Sequence, residues 1–260
     1  MGRDIPNNVS DGRIVGGRYE IKYLISESQA AAIAQFIRPY VRLDRYCQLQ
    51  PGGFYPIVSL YLDSEDLYLC RQSLEGQKNR FKLRIRSYSD ERDYPCFFEI
   101  KRRTNMAIIK DRARVLPEKG AQLISGRLSL PQLNDSERQS LEQFLFYMTS
   151  LNAKPIVKTR YWRRAFESIL DNRVRITLDH HLSYNVTSGF QIGLDGQVWH
   201  RLPLNGVVLE IKFTGCYPAW LGRMVKCFGL RQQSVSKYVY SIKRACLLGL
   251  LRLHETSVRR

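Results

Sequence analysis

The chain has 260 residues, enough to bury a substantial core in one or two domains, and its 44% hydrophobic and 25% charged content is globular. Lys and Arg outnumber Asp and Glu by 41 to 24, a formal net charge of +17 that points to polyanionic partners: nucleic acid, anionic lipid or phosphate chains. The six cysteines make no CxxC pair and no zinc-type spacing, and no run approaches the roughly 18 apolar residues of a membrane-spanning helix, so a zinc module and a helical membrane protein are both disfavoured.

Residues 1–16 read as a flexible leader rich in Gly, Asn and Asp, with no apolar core of signal-peptide length. Residues 17–260 read as a single domain, since neither a low-complexity linker nor a solenoid repeat interrupts them. With most cysteines in apolar settings suited to free thiols, the chain is expected to be soluble and cytoplasmic.

The first strand is predicted at 17–25, where Arg18, Glu20 and Lys22 share one face and Tyr19, Ile21 and Tyr23 the other. A helix over 26–41 follows, opened by a capping-box pattern of Ser26 and Gln29. Next come a strand at 56–63, a helix at 66–75, and a strand at 80–88 in which Lys82, Arg84 and Arg86 alternate with Phe81, Leu83 and Ile85. Strands at 95–103 and 107–115 carry Glu99, Lys101 and Arg103, then Lys110, Arg112 and Arg114. After a helix at 134–150, a strand at 155–166 presents Lys158 and Arg160, and one at 173–182 sets Arg173, Arg175 and Asp179 against Val174, Ile176 and Leu178. A strand at 206–213 with Glu210 and Lys212, a helix at 218–228 with Pro218 in its first turn, and a helix at about 235–254 complete the pattern.

A solvated face explains one charged strand. A basic face repeated from strand to strand asks for more, because like charges opposite one another across strands cost stability. The expected architecture is α+β: a closed or nearly closed antiparallel β-barrel of about eight strands with flanking helices. Its charged faces would point inward, making a tunnel of cations punctuated by Glu20, Glu99, Asp179 and Glu210. Low-dielectric walls strengthen the attraction of such a tunnel for a multiply charged guest.

In order, "RYEIKY", "SLYLDS", "FKLRIRSY", "FFEIKRR", "KTRYWRRAF", "VRITLD", "VLEIKFTG", "PAWL" and "SVSKY" resemble the VTC domain, the catalytic domain of the vacuolar transporter chaperone complex. That domain is a member of the triphosphate tunnel metalloenzymes, and the resemblance covers roughly residues 17–245. It implies an antiparallel tunnel and polyphosphate synthesis from ATP, with Mn²⁺ or Mg²⁺ as cofactor. Carried over by position, it implies that Lys22, Arg84, Arg86, Lys101, Arg160 and Lys212 bind phosphate, that Glu210 binds metal, and that Lys237 reaches into the tunnel from the C-terminal helix. Lys110, Arg112 and Arg175 are further phosphate-binding candidates, and Glu20 and Glu99 further metal candidates. The family's eukaryotic form adds a phosphate-sensing domain and often membrane helices; neither appears in this sequence, which suggests a freestanding prokaryotic homologue and leaves room for a separate membrane-protein partner.

The expected reaction is transfer of the ATP γ-phosphate to a growing polyphosphate chain, with ADP released. Two alternatives use the same tunnel: a metal-dependent triphosphatase, with water as nucleophile, and a non-catalytic module that binds polyphosphate or inositol phosphates. A nucleic-acid-binding protein is disfavoured, since the aromatics of "FKLRIRSY" and "FFEIKRR" mostly oppose the cations instead of interleaving with them. The chain also lacks GxxxxGK[ST] and a GxGxxG after a strand.

Overall fold

The computed structural model describes residues 18–104, 107–127, 132–169, 173–196, 198–204 and 206–251. The leader read at 1–16 and the last residues assigned by sequence to the final helix, 252–254, lie outside them. In chain order the elements are β1 (Arg18–Ile25), α1 (Glu27–Phe36), β2 (Val41–Leu43), α2 (Arg45–Gln48), β3 (Tyr55–Asp63), α3 (Tyr68–Leu74), β4 (Asn79–Ser87), β5 (Cys96–Thr104) and β6 (Ala107–Val115). There follow α4 (Pro117–Ile124), α5 (Asp135–Ser150), β7 (Lys154–Ser168), β8 (Val174–Val186), β9 (His200–Arg201), β10 (Val207–Thr214), α6 (Ala219–Cys227) and α7 (Lys237–Leu247).

The sheet is antiparallel, with strand order β1-β10-β8-β7-β3-β4-β5-β6; β2 adds to β7 and β9 to β8. Among the described residues no backbone pairing joins β1 to β6, so hydrogen bonds do not close this sheet into a barrel. Two compact units divide the chain, with the boundary falling inside β7 and β8. The first holds the chain up to Gly53 with Arg164–Leu178 and residues 205–234; the second holds Phe54–Arg163, residues 179–204 and the chain from Val235 onward.

In the first unit Ile33 and Ile37, Val41, Ile176 and Leu178, Leu209 and Ile211, and Leu221 and Met224 make one buried cluster. The helix α1 starts where its capping box predicts: Gln29 N–H donates to Ser26 Oγ at 3.1 Å and Ser26 N–H to Gln29 Oε1 at 3.0 Å. It ends at Phe36, short of the sequence expectation, because Pro39 has no N–H for a further turn and disfavours helical geometry just before it.

In the second unit Leu60 and Leu62, Leu83 and Ile85, Phe98 and Ile100, and Leu141 and Phe144 form the core. Burying each such side chain contributes about 1.5–3 kcal/mol, which fixes one face of β3, β4 and β5 against helices. Strict alternation then commits the other face to Lys82, Arg84, Arg86, Glu99 and Lys101. The helix α4, hidden in sequence by Pro117 and Gly120, starts with proline at its first position. Gly120 makes room there for Phe190: a Cβ would lie 2.8 Å from Phe190 Cζ, so the ring would have to shift.

Candidate functional site

Three strands of the second unit build a cationic ladder. Register places Arg84, Glu99 and Arg112 in one row across β4, β5 and β6, and Lys82, Lys101 and Lys110 in the next. The wholly buried Glu99 carboxylate collects its row: Arg84 Nε lies 2.6 Å from Oε2, Arg112 Nε 3.2 Å from Oε1, and Lys110 Nζ reaches across from the lysine row to within 2.7 Å of Oε1. Burial pushes the Glu99 carboxyl up, but Arg84, Arg86 and Lys110 outweigh it and hold the group well below the usual carboxylate range. Three cations on one carboxylate leave a surplus of positive charge.

One row further on, the buried Arg86 donates from Nε to Ser59 Oγ at 3.2 Å and from Nη2 to Tyr161 OH at 3.5 Å. Neighbouring phenols register the field. Burial alone would raise Tyr88, yet Arg86 and Arg112 bring it down to about 8, and Arg84 and Arg86 likewise lower Tyr61 against its burial.

A second cluster in the same unit centres on Asp179, also wholly buried. Arg163 donates to it bidentately, Nε to Oδ1 at 2.7 Å and Nη2 to Oδ2 at 2.9 Å, and Lys237 Nζ lies 2.6 Å from Oδ2. Burial raises the Asp179 carboxyl, but Arg163 and then Lys237 outweigh it and bring the group down to about 2. Lys237 Nζ stands 4.5 Å from the Tyr161 ring centre, and since Tyr161 also receives Arg86, this cluster continues the cationic face.

The structure places Arg160 elsewhere. Ser59 pairs with both Arg86 and Thr159, so Thr159, Tyr161 and Arg163 share the face of Arg86, while Arg160 occupies the opposite face of β7. There its Nη1 donates to Leu194 O at 2.6 Å and its guanidinium lies 4.5 Å from the Trp199 ring centre. Arg163 is the residue that sequence reading missed. The stretch "KTRYWRR" is basic on both faces, so alternation alone could not choose between them.

In the first unit Glu20 pairs with Lys212 and Lys22 with Glu210 across β1 and β10. Lys22 Nζ lies 3.0 Å from Glu20 Oε1 and 3.5 Å from Glu210 Oε2, and Lys212 forms an ion pair with Glu210 Oε1. Arg175, a phosphate candidate by sequence, is bound up in the first unit: Nη2 lies 2.6 Å from Asp44 Oδ2, Nη1 pairs with Glu167, and Asp44 itself caps α2.

For a divalent metal, the described residues contain no cluster of three or more His, Cys, Asp or Glu side chains. Glu20 and Glu210, two hard oxygen donors bracketing Lys22, suit Mg²⁺ or Mn²⁺, which characteristically takes one or two carboxylates and completes its shell with water and substrate phosphates. Glu99, the further metal candidate, holds three cations on its two oxygens, whereas Glu210 holds two lysines, Lys22 on Oε2 and Lys212 on Oε1. No helix among the described residues is long and apolar enough to cross a membrane.

Comparison with known proteins places this geometry in context. Over 131 residues the chain is 24% identical to vacuolar transporter chaperone complex subunit 2 of Schizosaccharomyces pombe, covering 46% of this chain and only 18% of that longer protein. Among solved structures, a Bacillus halodurans protein proposed to be an adenylate cyclase aligns over 84% of this chain and 92% of its own, with 17% identity and a TM-score of 0.45. A protein of Pyrococcus horikoshii aligns over 88% of this chain and 99% of its own, with 12% identity and a TM-score of 0.44. The family model described as the VTC domain matches residues 17–246. The chain belongs to the VTC domain family.

Proposed function

We propose that this protein is a polyphosphate polymerase that transfers the γ-phosphate of ATP to the end of a growing polyphosphate chain. In this reading the sheet forms the tunnel of the family resemblance, in the cytoplasm, with the charged faces lining its interior. The observation that carries it is the surplus of cations over carboxylate on β4, β5 and β6, where, among the described residues, Arg84, Lys110 and Arg112 share the Glu99 carboxylate. A lone surface salt bridge needs no such surplus; a polyanion would neutralise it.

Phosphoryl transfer asks for positioning and charge neutralisation more than for covalent help. Two phosphate chains meeting end to end repel each other, and that repulsion is the first obstacle. Arg84 and Arg86 would grip the nucleotide phosphates with forked hydrogen bonds. In the second unit Lys101 and Lys237 would neutralise the attacking chain end and the bridging oxygen, while Lys110 and Arg112 extend the cationic floor; Lys22 and Lys212 of the first unit would bind phosphate as the family resemblance implies. A terminal phosphate oxygen, already anionic at neutral pH, forms the new bond to the γ-phosphorus. The β–γ bridging bond breaks, and its electron pair leaves on ADP. Glu210 with Glu20 would hold Mn²⁺ or Mg²⁺, which supplies Lewis-acid neutralisation at the phosphoryl oxygens.

The test is incubation of purified protein with ATP and Mn²⁺, following ADP, free phosphate and long-chain polyphosphate together, beside Glu210→Gln and Lys237→Ala. Polyphosphate formed with ADP, and lost in both variants, is the expected result. Free phosphate alone would replace the polymerase with a triphosphatase, and binding without turnover would leave a phosphate-chain sensor.

A further inference from the structure

Three consecutive residues at the start of α7 each engage a different strand. Ser236, the N-cap, accepts from Val239 N–H and also from Lys82 Nζ of β4 at 2.8 Å. Lys237 reaches Asp179 of β8. Tyr238 donates its hydroxyl to Asp63 Oδ2 at the end of β3, and its ring stacks on Tyr61 with centres 4.7 Å apart.

Asp63 is the anchor of this arrangement. Its side chain is fully buried and accepts three backbone N–H groups, from Ser64, Leu69 and Cys70, each at 2.9 Å, and the Ser64 hydroxyl at 3.5 Å, before Tyr238 adds its own bond to Oδ2. The first of these N–H groups follows β3 directly and the other two lie in the first turn of α3, so Asp63 is immobilised by the fold itself. Tyr238, also buried, hangs from that fixed point. A lysine side chain has four rotatable bonds and gains its precision only from where its Cα is held. Lys237 sits one residue from this link, and its ammonium must reach a site already shared with Arg163.

We propose that Asp63 and Tyr238 are positioning residues for Lys237: their hydrogen bond seats the first turn of α7 so that the lysine ammonium is delivered to the Arg163–Asp179 pair. The two residues touch no substrate in this scheme, and their effect is exerted through Lys237. The catalytic consequence rests on the proposed polymerase reading, whereas the placement of Lys237 does not.

The experiment separates the two. In Tyr238→Phe the ring keeps its stack on Tyr61 and loses only the hydroxyl. Reductive methylation of the full chain by formaldehyde, with Lys237 followed by peptide mass spectrometry, should run about tenfold faster than in wild type, the equivalent of one hydrogen bond to a carboxylate. Turnover measured in parallel should show kcat down about tenfold with the KM for ATP within about twofold, the signature of a misplaced group and not of lost substrate binding. Asp63→Asn with Tyr238→Phe should cost no more in kcat than the larger single change, since both break one link. Wild-type protection of Lys237 in Tyr238→Phe overturns the proposal, as does wild-type kcat in that variant. If wild-type protein forms neither ADP nor polyphosphate, the polymerase reading falls alone, and the methylation rate still decides this one.

Discussion

The tripeptide Glu-Ile-Lys occurs in β1, β5 and β10, at residues 20–22, 99–101 and 210–212, with opposite electrostatic outcomes. On β1 and β10 the two copies run antiparallel, so Glu20 meets Lys212 and Lys22 meets Glu210, and the charges cancel in a checkerboard. On β5 the same tripeptide lies between two basic strands. Glu99 meets Arg84 and Arg112, while Lys101 meets Lys82 and Lys110. The first arrangement is neutral without a ligand, and the second holds excess positive charge that one carboxylate cannot cancel. A strand's own sequence therefore does not set the charge of its face; its neighbours do.

Removing Glu99 tests that contrast most severely. Glu99→Gln leaves Arg84, Lys110 and Arg112 without their shared counter-ion, and breaking a buried pair in this way costs about 3–5 kcal/mol. Urea denaturation should show that loss, and added inorganic triphosphate should restore much of it by binding the folded state. Glu210→Gln should do less to stability, about 1 kcal/mol, because Lys22 keeps Glu20 and the two lysines around Glu210 are each about a quarter exposed and can turn to water. Its expected signature is loss of Mn²⁺-dependent turnover at nearly wild-type melting temperature.

A pH series sharpens the comparison further. Asp179 is lowered in the folded protein to about 2, from an ordinary value near 3.9. A depressed carboxyl contributes stability that is fully present above the unfolded value and is lost as pH falls through the folded one. Asp179→Asn should therefore flatten the fall in denaturation free energy between about pH 4 and pH 2 relative to wild type. An unchanged acid limb would mean that Arg163 and Lys237 do not hold this carboxylate ionised. The smallest effect belongs to Arg160→Ala. Phosphate-chain affinity should stay within about twofold, an energy below 0.5 kcal/mol, while Arg163→Ala on the other face should lose at least tenfold in an isothermal titration.

Much of the fold was legible because alternation and capping are local signals. The strands at 17–25, 80–88 and 107–115, and the capping box at Ser26, appear where the sequence puts them. The short β2, α2 and β9 carry too few residues to show a period, and the eight residues of α4 include a proline and a glycine that blur its period. In β7 the basic residues fall on both faces, so which of Arg160 and Arg163 joins Arg86 depends on the pairing of Ser59 with Thr159.

By itself the sequence determined which faces are charged, which are apolar and where most elements begin, since those follow from a period of two and from caps within a few residues. Its motifs also sufficed to place the chain in the VTC domain family. Tertiary structure alone decided which charges meet. It made Glu99 the shared counter-ion of three cations, drew Arg175 to Asp44, and brought Lys237 and Arg163 together on Asp179 across 58 and 16 positions of chain. The reason is physical: charge strength is written in a side chain, but Coulomb energy depends on separation and burial, and both are set only when strands pair and close over the group.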